Sequence, residues 1–291
     1  MNFRIQNIQT GWLHGFIGVA IFAGSMPATR VAVQGFSPEF LTGARACIAA
    51  LLAFILLYML KQPKPSAQQI KSLCIVSIGV VIGFPLFTAL ALQTQTAANS
   101  LIFVALLPLA TAFFAVLRAK EIPQLTFWLY AGAGSALVIF FMLQQSGMHG
   151  LTLSDLYMII AVLLCGLGYA EGGVLSRTLG GWQVICWALI IALPLMLPMF
   201  FVYWPHNFQQ IPASAYIGLA YVSIFSMLIG FFFWYKGLAL GGIAKIGQIQ
   251  LIQPFIGLML CAVLLNEQIS LLMITVSLAV VSCVVMAKKY A

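Results

Sequence analysis

The sequence predicts an all-α integral membrane protein of ten transmembrane helices, arranged as two inverted five-helix repeats. Three observations predict it: the composition, the spacing of the apolar runs, and an internal match at a fixed offset. Of the 291 residues, 63% are hydrophobic and 6% are charged, where a soluble domain carries about 25% charged residues. The mean hydropathy is +1.09. Crossing roughly 30 Å of hydrocarbon takes about 20 mostly apolar residues. The chain therefore has room for spans and short loops, and none for a soluble catalytic domain.

Apolar runs broken by short polar or proline-containing stretches give the spans in order: 11–30, 39–60, 72–92, 97–117, 124–144, 154–176, 182–203, 213–235, 243–265 and 268–287. The polar N-terminus "MNFRIQNIQT" leads into the first run without a clear cleavage site, so that run is expected to be a retained span. The net charge of +8 suits the excess of Lys and Arg in cytoplasmic loops better than it suits a nucleic-acid surface. With the N-terminus inside, Arg4, Lys61, Lys64, Lys71, Arg118, Lys120, Arg177, Lys236, Lys288 and Lys289 share the cytoplasmic side, against Arg30 alone outside. Both termini are thus expected in the cytoplasm, and the protein in the plasma (inner) membrane. Cys47, Cys74, Cys165, Cys186, Cys261 and Cys283 all lie in apolar runs without a CxxC pair. They read as small packing residues rather than a disulfide framework or a metal site.

The internal match comes at an offset of 146 residues. Leu92 falls on Leu238, Ala98 on Ala244, Pro108 on Pro254 and Glu121 on Glu267. "LPLATAFFAVLRAKE" overlays "QPFIGLMLCAVLLNE", with Pro and Glu thirteen apart in both. This predicts a first repeat over 11–145 and a second over 152–288. Five spans per copy is odd, so the second copy must enter from the opposite face. Repeats of that kind place a substrate site near the midplane and support alternating access.

These features together resemble the EamA family of the drug/metabolite transporter superfamily: ten spans in two repeats, Pro108 and Pro254 late in spans four and nine, and Glu121 and Glu267 before spans five and ten. The resemblance covers about residues 12–287. It implies a central cavity between the repeats and secondary transport not driven by ATP. It does not specify a substrate: relatives export amino acids, other metabolites or drugs. The sequence also contains nothing like a nucleotide-binding P-loop.

Only five acidic residues occur in the chain, and one of them, Glu171, sits at depth in span six within "CGLGYAEGGVLSR". A charge at a helix centre costs about 2.5–3.5 kcal/mol on insertion scales. Glu171 is six residues from Arg177 and so on a different helix face. Gly168 and Gly172, at small-xxx-small spacing, let a neighbouring helix approach, which points the carboxylate into protein. It is a candidate for a substrate ammonium or for proton coupling; the bland alternative is a carboxyl bonded to a neighbouring helix. Arg45 in span two and Arg30 at the end of span one could hold a substrate carboxylate. Both lie near enough the surface to snorkel, and an anchoring role competes.

Span nine carries "AKIGQIQLIQPF", so Gln248, Gln250 and Gln253 precede a proline that frees backbone carbonyls; polar, broken helices at membrane depth line cavities. Asn99 opens span four, its repeat partner. Tyr169 and the deep Trp187 offer aromatic surface for a cation. Glu121 and Glu267 read as caps for the span that follows each. His14, His149 and His206 are scattered and form no cluster, and neither a metal nor a cofactor is expected.

The leading functional expectation is a secondary-active exporter of small organic solutes, first of all amino acids or related metabolites, with proton coupling at Glu171. Efflux of hydrophobic cationic drugs is the alternative; a non-transporting membrane subunit or sensor is the alternative of another class. A membrane-embedded enzyme would need a nucleophile–base pair or metal cluster at depth, and none is visible. The expected partners are a small solute and membrane lipid, with no nucleic acid; the chain is expected as a monomer or as a homodimer packed through exposed small residues such as Gly79 and Gly83.

Overall fold

A computed structural model describes residues 2–119, 124–146 and 152–288. It is entirely helical over the described regular elements. Span one is split into α1 (Asn2–Ala23) and α2 (Ser25–Ala32); α3 is Pro38–Met59. Span three runs as α4 (Ala67–Val76), a π-helical segment Ser77–Gly83 and α5 (Phe84–Thr94). Span four is split into α6 (Ala97–Val104) and α7 (Leu107–Ala119), and α8 (Leu125–Ser146), α9 (Leu153–Leu179) and α10 (Gly181–Val202) follow. Span eight runs as α11 (Ala213–Ala220), a π-helical segment Tyr221–Ile229 and α12 (Gly230–Gly241). Span nine is α13 (Ile243–Gly247), a 3₁₀ segment Gln248–Ile252 and α14 (Gln253–Leu265), and the last helix is α15 (Leu271–Lys288).

The helices follow the predicted runs in order, but the expectation of ten crossings is met in part. Among the described residues seven helical stretches are long and apolar enough to cross a membrane by length and composition, while Ile249–Leu265 and Leu271–Cys283 are shorter apolar helices. The fold is thus an all-α, multi-span membrane architecture. Large apolar side chains face outward, among them Leu51 (62% exposed) and Val263 (70%). In a soluble protein such a surface would aggregate; here it meets acyl chains.

Local chemistry explains where the helices deform. Ser77 opens one π segment and Ser223 lies early in the other, 146 residues on. Ser77 Oγ donates to Leu73 O (2.8 Å) and Ser223 Oγ to Leu219 O (2.6 Å), donors and acceptors that also match at the same offset. A serine hydroxyl competing for the carbonyl four residues back loosens the local ladder, and π turns occur where that ladder is disturbed. Pro108 and Pro254 lack the N–H that would continue the ladder, and each follows an irregular turn, at Ala105–Leu106 and at Gln248–Ile252. Packing partners exchange under the offset as well: α1 lies on α12 as α9 lies on α5, while α3 packs on α10 and α8 on α15.

Two tight links need glycine. Gly180 (φ 97°) joins α9 to α10 and Gly242 (φ 90°) joins α12 to α13, backbone conformations that L side chains rarely adopt. Glycine also sets the closest helix approach. A Cβ on Gly168 would lie 2.6 Å from Val80 Cγ1, and one on Gly79 would lie 2.6 Å from Leu164 O and 2.9 Å from Gly168 Cα. The small-residue contact expected at Gly168 is therefore made by Gly79 of the neighbouring span. Gly79 and Gly83 are buried, so they do not form the exposed dimer surface expected of them; they face α9 within the same chain. Gly79→Ala pushes against backbone that cannot yield, and overpacking of this kind costs about 1–3 kcal/mol. Gly132, beside which a Cβ meets nothing within 4 Å, is the control. Thermal unfolding of the purified protein in detergent should show a lowered midpoint for Gly79→Ala and an unchanged or raised one for Gly132→Ala; equal behaviour would contradict the close approach.

Candidate functional site

The break at Gly24 positions the site. Pro27, three residues beyond it, cannot donate to the preceding turn, and carbonyls beside the break take side-chain donors from other spans. Tyr221 Oη donates to Ile21 O (2.7 Å) and Gln253 Nε2 to Phe22 O (3.5 Å). The break thereby ties span one to the π segment of span eight and to the start of α14. Ser25, the first residue after the break, shares a hydrogen bond with Ser226 of that π segment, 2.7 Å between hydroxyl oxygens.

Arg45 reaches this pair from α3. Its Nη2 donates to Ser226 Oγ at 3.4 Å. The residue is 4% exposed, and its buried Nε has no partner. No carboxylate pairs with it among the described residues. Arg45 lies seven residues into α3, roughly 10 Å along the axis at 1.5 Å per residue, and it turns inward. Phe22, Tyr169, Phe231 and Gln253 close the same cavity with Arg45, Ser25 and Ser226. The space between them is about 10 Å³, room for roughly one water molecule, so the chain is closed around this point. Gln253 is 3% exposed and its Oε1 is unpartnered.

Of the residues singled out in the sequence, this cavity brings together Arg45, Tyr169 and Gln253. Glu171 is not among its lining residues. It follows Tyr169 by two positions, which places it on another side of α9, and it turns to α7. Arg118 Nε meets Glu171 Oε2 at 2.5 Å, with side-chain exposures of 40% and 5%. Gly172, next along the helix, leaves room for the Tyr235 ring, whose hydroxyl donates to Gly168 O (3.1 Å). A polar cleft of about 360 Å³, lined by Ser66, Gln69, Ser72, Leu175 and Thr178, opens beside this region between α4 and α9.

The remaining candidates lie apart. Trp187 is half-buried on α10 against the main core, with its Nε1 unpartnered. Gln250 is fully buried and neither amide atom has a partner. Asn99 sits in the first turn of α6, where its N–H donates to the Thr96 hydroxyl (3.2 Å). The side chain of Gln248 lies outside the described residues, as do Glu121 and His149. Arg30 donates to Leu92 O and Gln93 O, so it caps the C-terminal end of α5. His14 Nδ1 donates to Thr10 O (2.8 Å) and its ring lies against Phe233.

Glu267 corrects one expectation. It does not cap the helix that follows: α15 begins four residues on and is capped by Ser270, which accepts from Met273 N (3.2 Å). The Glu267 carboxylate instead accepts from Ala97 N (3.0 Å) and Ala98 N (2.8 Å), at the positive end of α6. Ser25 and Ser226 were not among the sequence candidates, because a serine in an apolar run more often bonds its own helix. The available signal was the "GSMP" stretch, where a small residue and a proline mark a break.

The Arg118–Glu171 pair carries a stability prediction. Removing one member of a buried pair costs more than removing both, and Glu171 is the buried member. Arg118→Ala should lower stability by about 1–3 kcal/mol, the cost of leaving a buried group unsatisfied, and Glu171→Gln by less, because Arg118 can turn to water. In a double-mutant cycle read by thermal unfolding, the double variant should recover part of the Arg118→Ala loss; strictly additive effects would show that the two side chains are uncoupled.

Comparison with known proteins agrees with the architecture. Among the described residues no group of three His, Cys, Asp or Glu side chains could hold a metal. The uncharacterized transporter YdeK of Bacillus subtilis (strain 168) is 54% identical over 287 residues, covering 99% of this chain and 100% of that protein. A protein of known crystal structure superposes with a TM-score of 0.70 at 18% identity, over 97% of this chain and 99% of that one; at that identity the likeness concerns the fold alone. The EamA-like transporter family model matches residues 9–143 and again 152–287. The chain is therefore a multi-pass membrane protein of the EamA-like transporter family, whose members are transporters and not enzymes.

Proposed function

We propose that the chain is a secondary-active transporter of small organic solutes, with amino acids and related metabolites as the first class, and that the cavity around Arg45, Tyr169 and Gln253 is its solute site. The observation that carries this reading is a small cavity at membrane depth that gathers Ser25, Arg45, Ser226 and Gln253, built where a broken span one meets the π segment of span eight and the proline-interrupted span nine. Polar groups and irregular backbone persist at that depth where they line a path or a site. The π segments and prolines matched at an offset of 146 residues, and the exchange of packing partners, support two five-helix repeats over 11–145 and 152–288. The C-terminal end of α5 bonds both Arg30, at the end of span one, and Ser154, at the start of α9. That contact supports equivalent spans one and six running in opposite directions, as inverted repeats require.

Alternating access follows from that arrangement. The excess of basic residues supports cytoplasmic termini in a plasma (inner) membrane protein, and on that orientation the Arg118–Glu171 pair closes the cytoplasmic side. Glu171 is the proton-coupling group in this scheme: a proton on its carboxylate releases Arg118 and lets the inner end open. Export is the direction taken for this scheme. Efflux of hydrophobic cations is the weaker reading, since the aromatic walls suit a cation but the guanidinium of Arg45 repels one. A non-transporting role would give no flux at all.

Purified protein in liposomes should exchange labelled amino acids across the membrane, and an imposed pH gradient should accelerate accumulation several-fold. Glu171→Gln should keep exchange and lose the gradient-driven component. No flux of any solute by the wild-type protein would sink the transporter reading. A gradient effect retained in Glu171→Gln would remove Glu171 from the coupling.

A further inference from the structure

Resting on the reading of the central cavity as the solute site, we infer that Arg45 and Gln253 form a two-point subsite for a carboxylate that carries a hydrogen-bond donor beside it, an α-amino or α-hydroxy acid. Glu171 takes no part in holding it. Three observations converge. Arg45 is 4% exposed, bonds among the described residues only the Ser226 hydroxyl at 3.4 Å, and leaves Nε unpartnered. A guanidinium at membrane depth without a counter-ion is costly, and its planar fork matches a carboxylate. The ligand must therefore supply the anion.

Gln253 supplies the second point. Its amide nitrogen faces Phe22 O. A carbonyl only accepts, so this contact fixes the amide orientation and leaves Oε1 as the free acceptor. Oε1 is buried and unpartnered, so the ligand must bring a donor to it. A carboxylate with an adjacent ammonium or hydroxyl satisfies both groups at once. The walls made by Phe22 and Phe231 take an apolar body. The Ser25–Ser226 pair completes the anion side, because Ser226 Oγ already lies between Ser25 and Arg45. The cavity holds about one water in the closed form, so the ligand enters only after the break at Gly24 and the π segment of span eight move apart.

The test uses the full chain in detergent and in liposomes, with two matched sets of ligands. One set has a benzyl body: phenylalanine, phenyllactate, 3-phenylpropanoate and phenethylamine. The other has the corresponding isobutyl body: leucine, 2-hydroxyisocaproate, isocaproate and isoamylamine. In at least one set, thermal shift should rank the donor-bearing acids above the simple acid by about ten-fold in affinity, a loss typical of one charge-assisted or buried hydrogen bond. The simple amine should give no shift. Arg45→Gln should abolish the shift from every carboxylate, and Arg45→Lys, which keeps the charge and guards against a merely misfolded variant, should weaken binding about ten-fold while restoring part of it. Gln253→Leu should bring the donor-bearing acids down to the simple acid. Glu171→Gln should bind within about two-fold of wild type. A competing amino and hydroxy acid of the same body decides which donor is preferred.

The inference is overturned if the simple amine binds as well as the amino acid, if no acid in either set binds, or if Arg45→Lys and Arg45→Gln, both eluting as folded protein, bind acids like wild type. These outcomes leave the transporter reading standing wherever the wild-type liposomes still move a solute. An absence of flux for every solute, with acid binding dependent on Arg45 intact, would instead sink that reading and leave the subsite.

Discussion

A helix cannot be broken inside hydrocarbon unless its carbonyls find donors, because no water is present to replace the lost hydrogen bonds. That constraint organises the centre of this protein. The break at Gly24 is held by Tyr221 donating to Ile21 O and Gln253 donating to Phe22 O. Both donors come from spans far along the chain, so satisfying the break also fixes how spans one, eight and nine meet. The cavity is the space that this junction leaves. Its shape therefore depends on polar groups spent on backbone, and Gln253 retains one free atom only because its other atom is engaged.

The distribution of acids follows a second constraint. With five acidic residues in the chain, each carboxylate must do a task that lowers the cost of its charge. Asp155 closes a capping box with Thr152 at the start of α9 and also accepts from Gln95. Glu39 lies in the first turn of α3, where the helix dipole favours a negative charge. Glu267 satisfies two N–H groups of α6, and Glu171 meets Arg118. Each described acid has such a role, and none faces Arg45. The missing counter-ion is thus a consequence of where all the described carboxylates are committed.

How much of this was legible in the sequence depends on whether the cause was local. The helical runs, the matched prolines and the approach at Gly168 could be read, because each rests on nearby residues: run length, a missing N–H, a missing Cβ. The π segments could not, since a serine that bonds back along its helix looks like any other serine in an apolar run. Glu171 stood out as a buried acid, but its partner did not, because Arg118 reads as a basic residue at a span end and the two lie 53 positions apart. Glu267 was expected to serve its own next helix; the choice of α6 instead is set by Ser270, which already caps α15, and by the unpaired N–H groups of a helix 170 positions earlier. Arg45 and Glu171 stand in the sequence as separate candidates for a substrate carboxylate and a substrate ammonium. The helical angle between Tyr169 and Glu171 separates them, and that angle was available from spacing alone once Tyr169 is taken to face the cavity.

The two ends of the bundle are closed by contacts of different chemistry, and the difference bears on how access alternates. At one end the Glu267 carboxylate holds two backbone N–H groups of α6, and Arg30 caps the last carbonyls of α5. Opening there exposes a helix terminus on each side, four backbone groups that must find water together. At the basic end the closing contact is the Arg118–Glu171 pair, and Arg118 is already 40% exposed. Its guanidinium needs only to rotate into solvent for the contact to open, and the polar cleft lined by Ser66 and Ser72 stands ready to hydrate what it leaves. The basic end is therefore the one whose closing contact is sensitive to a small change of charge, and the opposite end is held by backbone groups. The Arg118–Glu171 pair and the Arg45 cavity thus lie on different sides of α9.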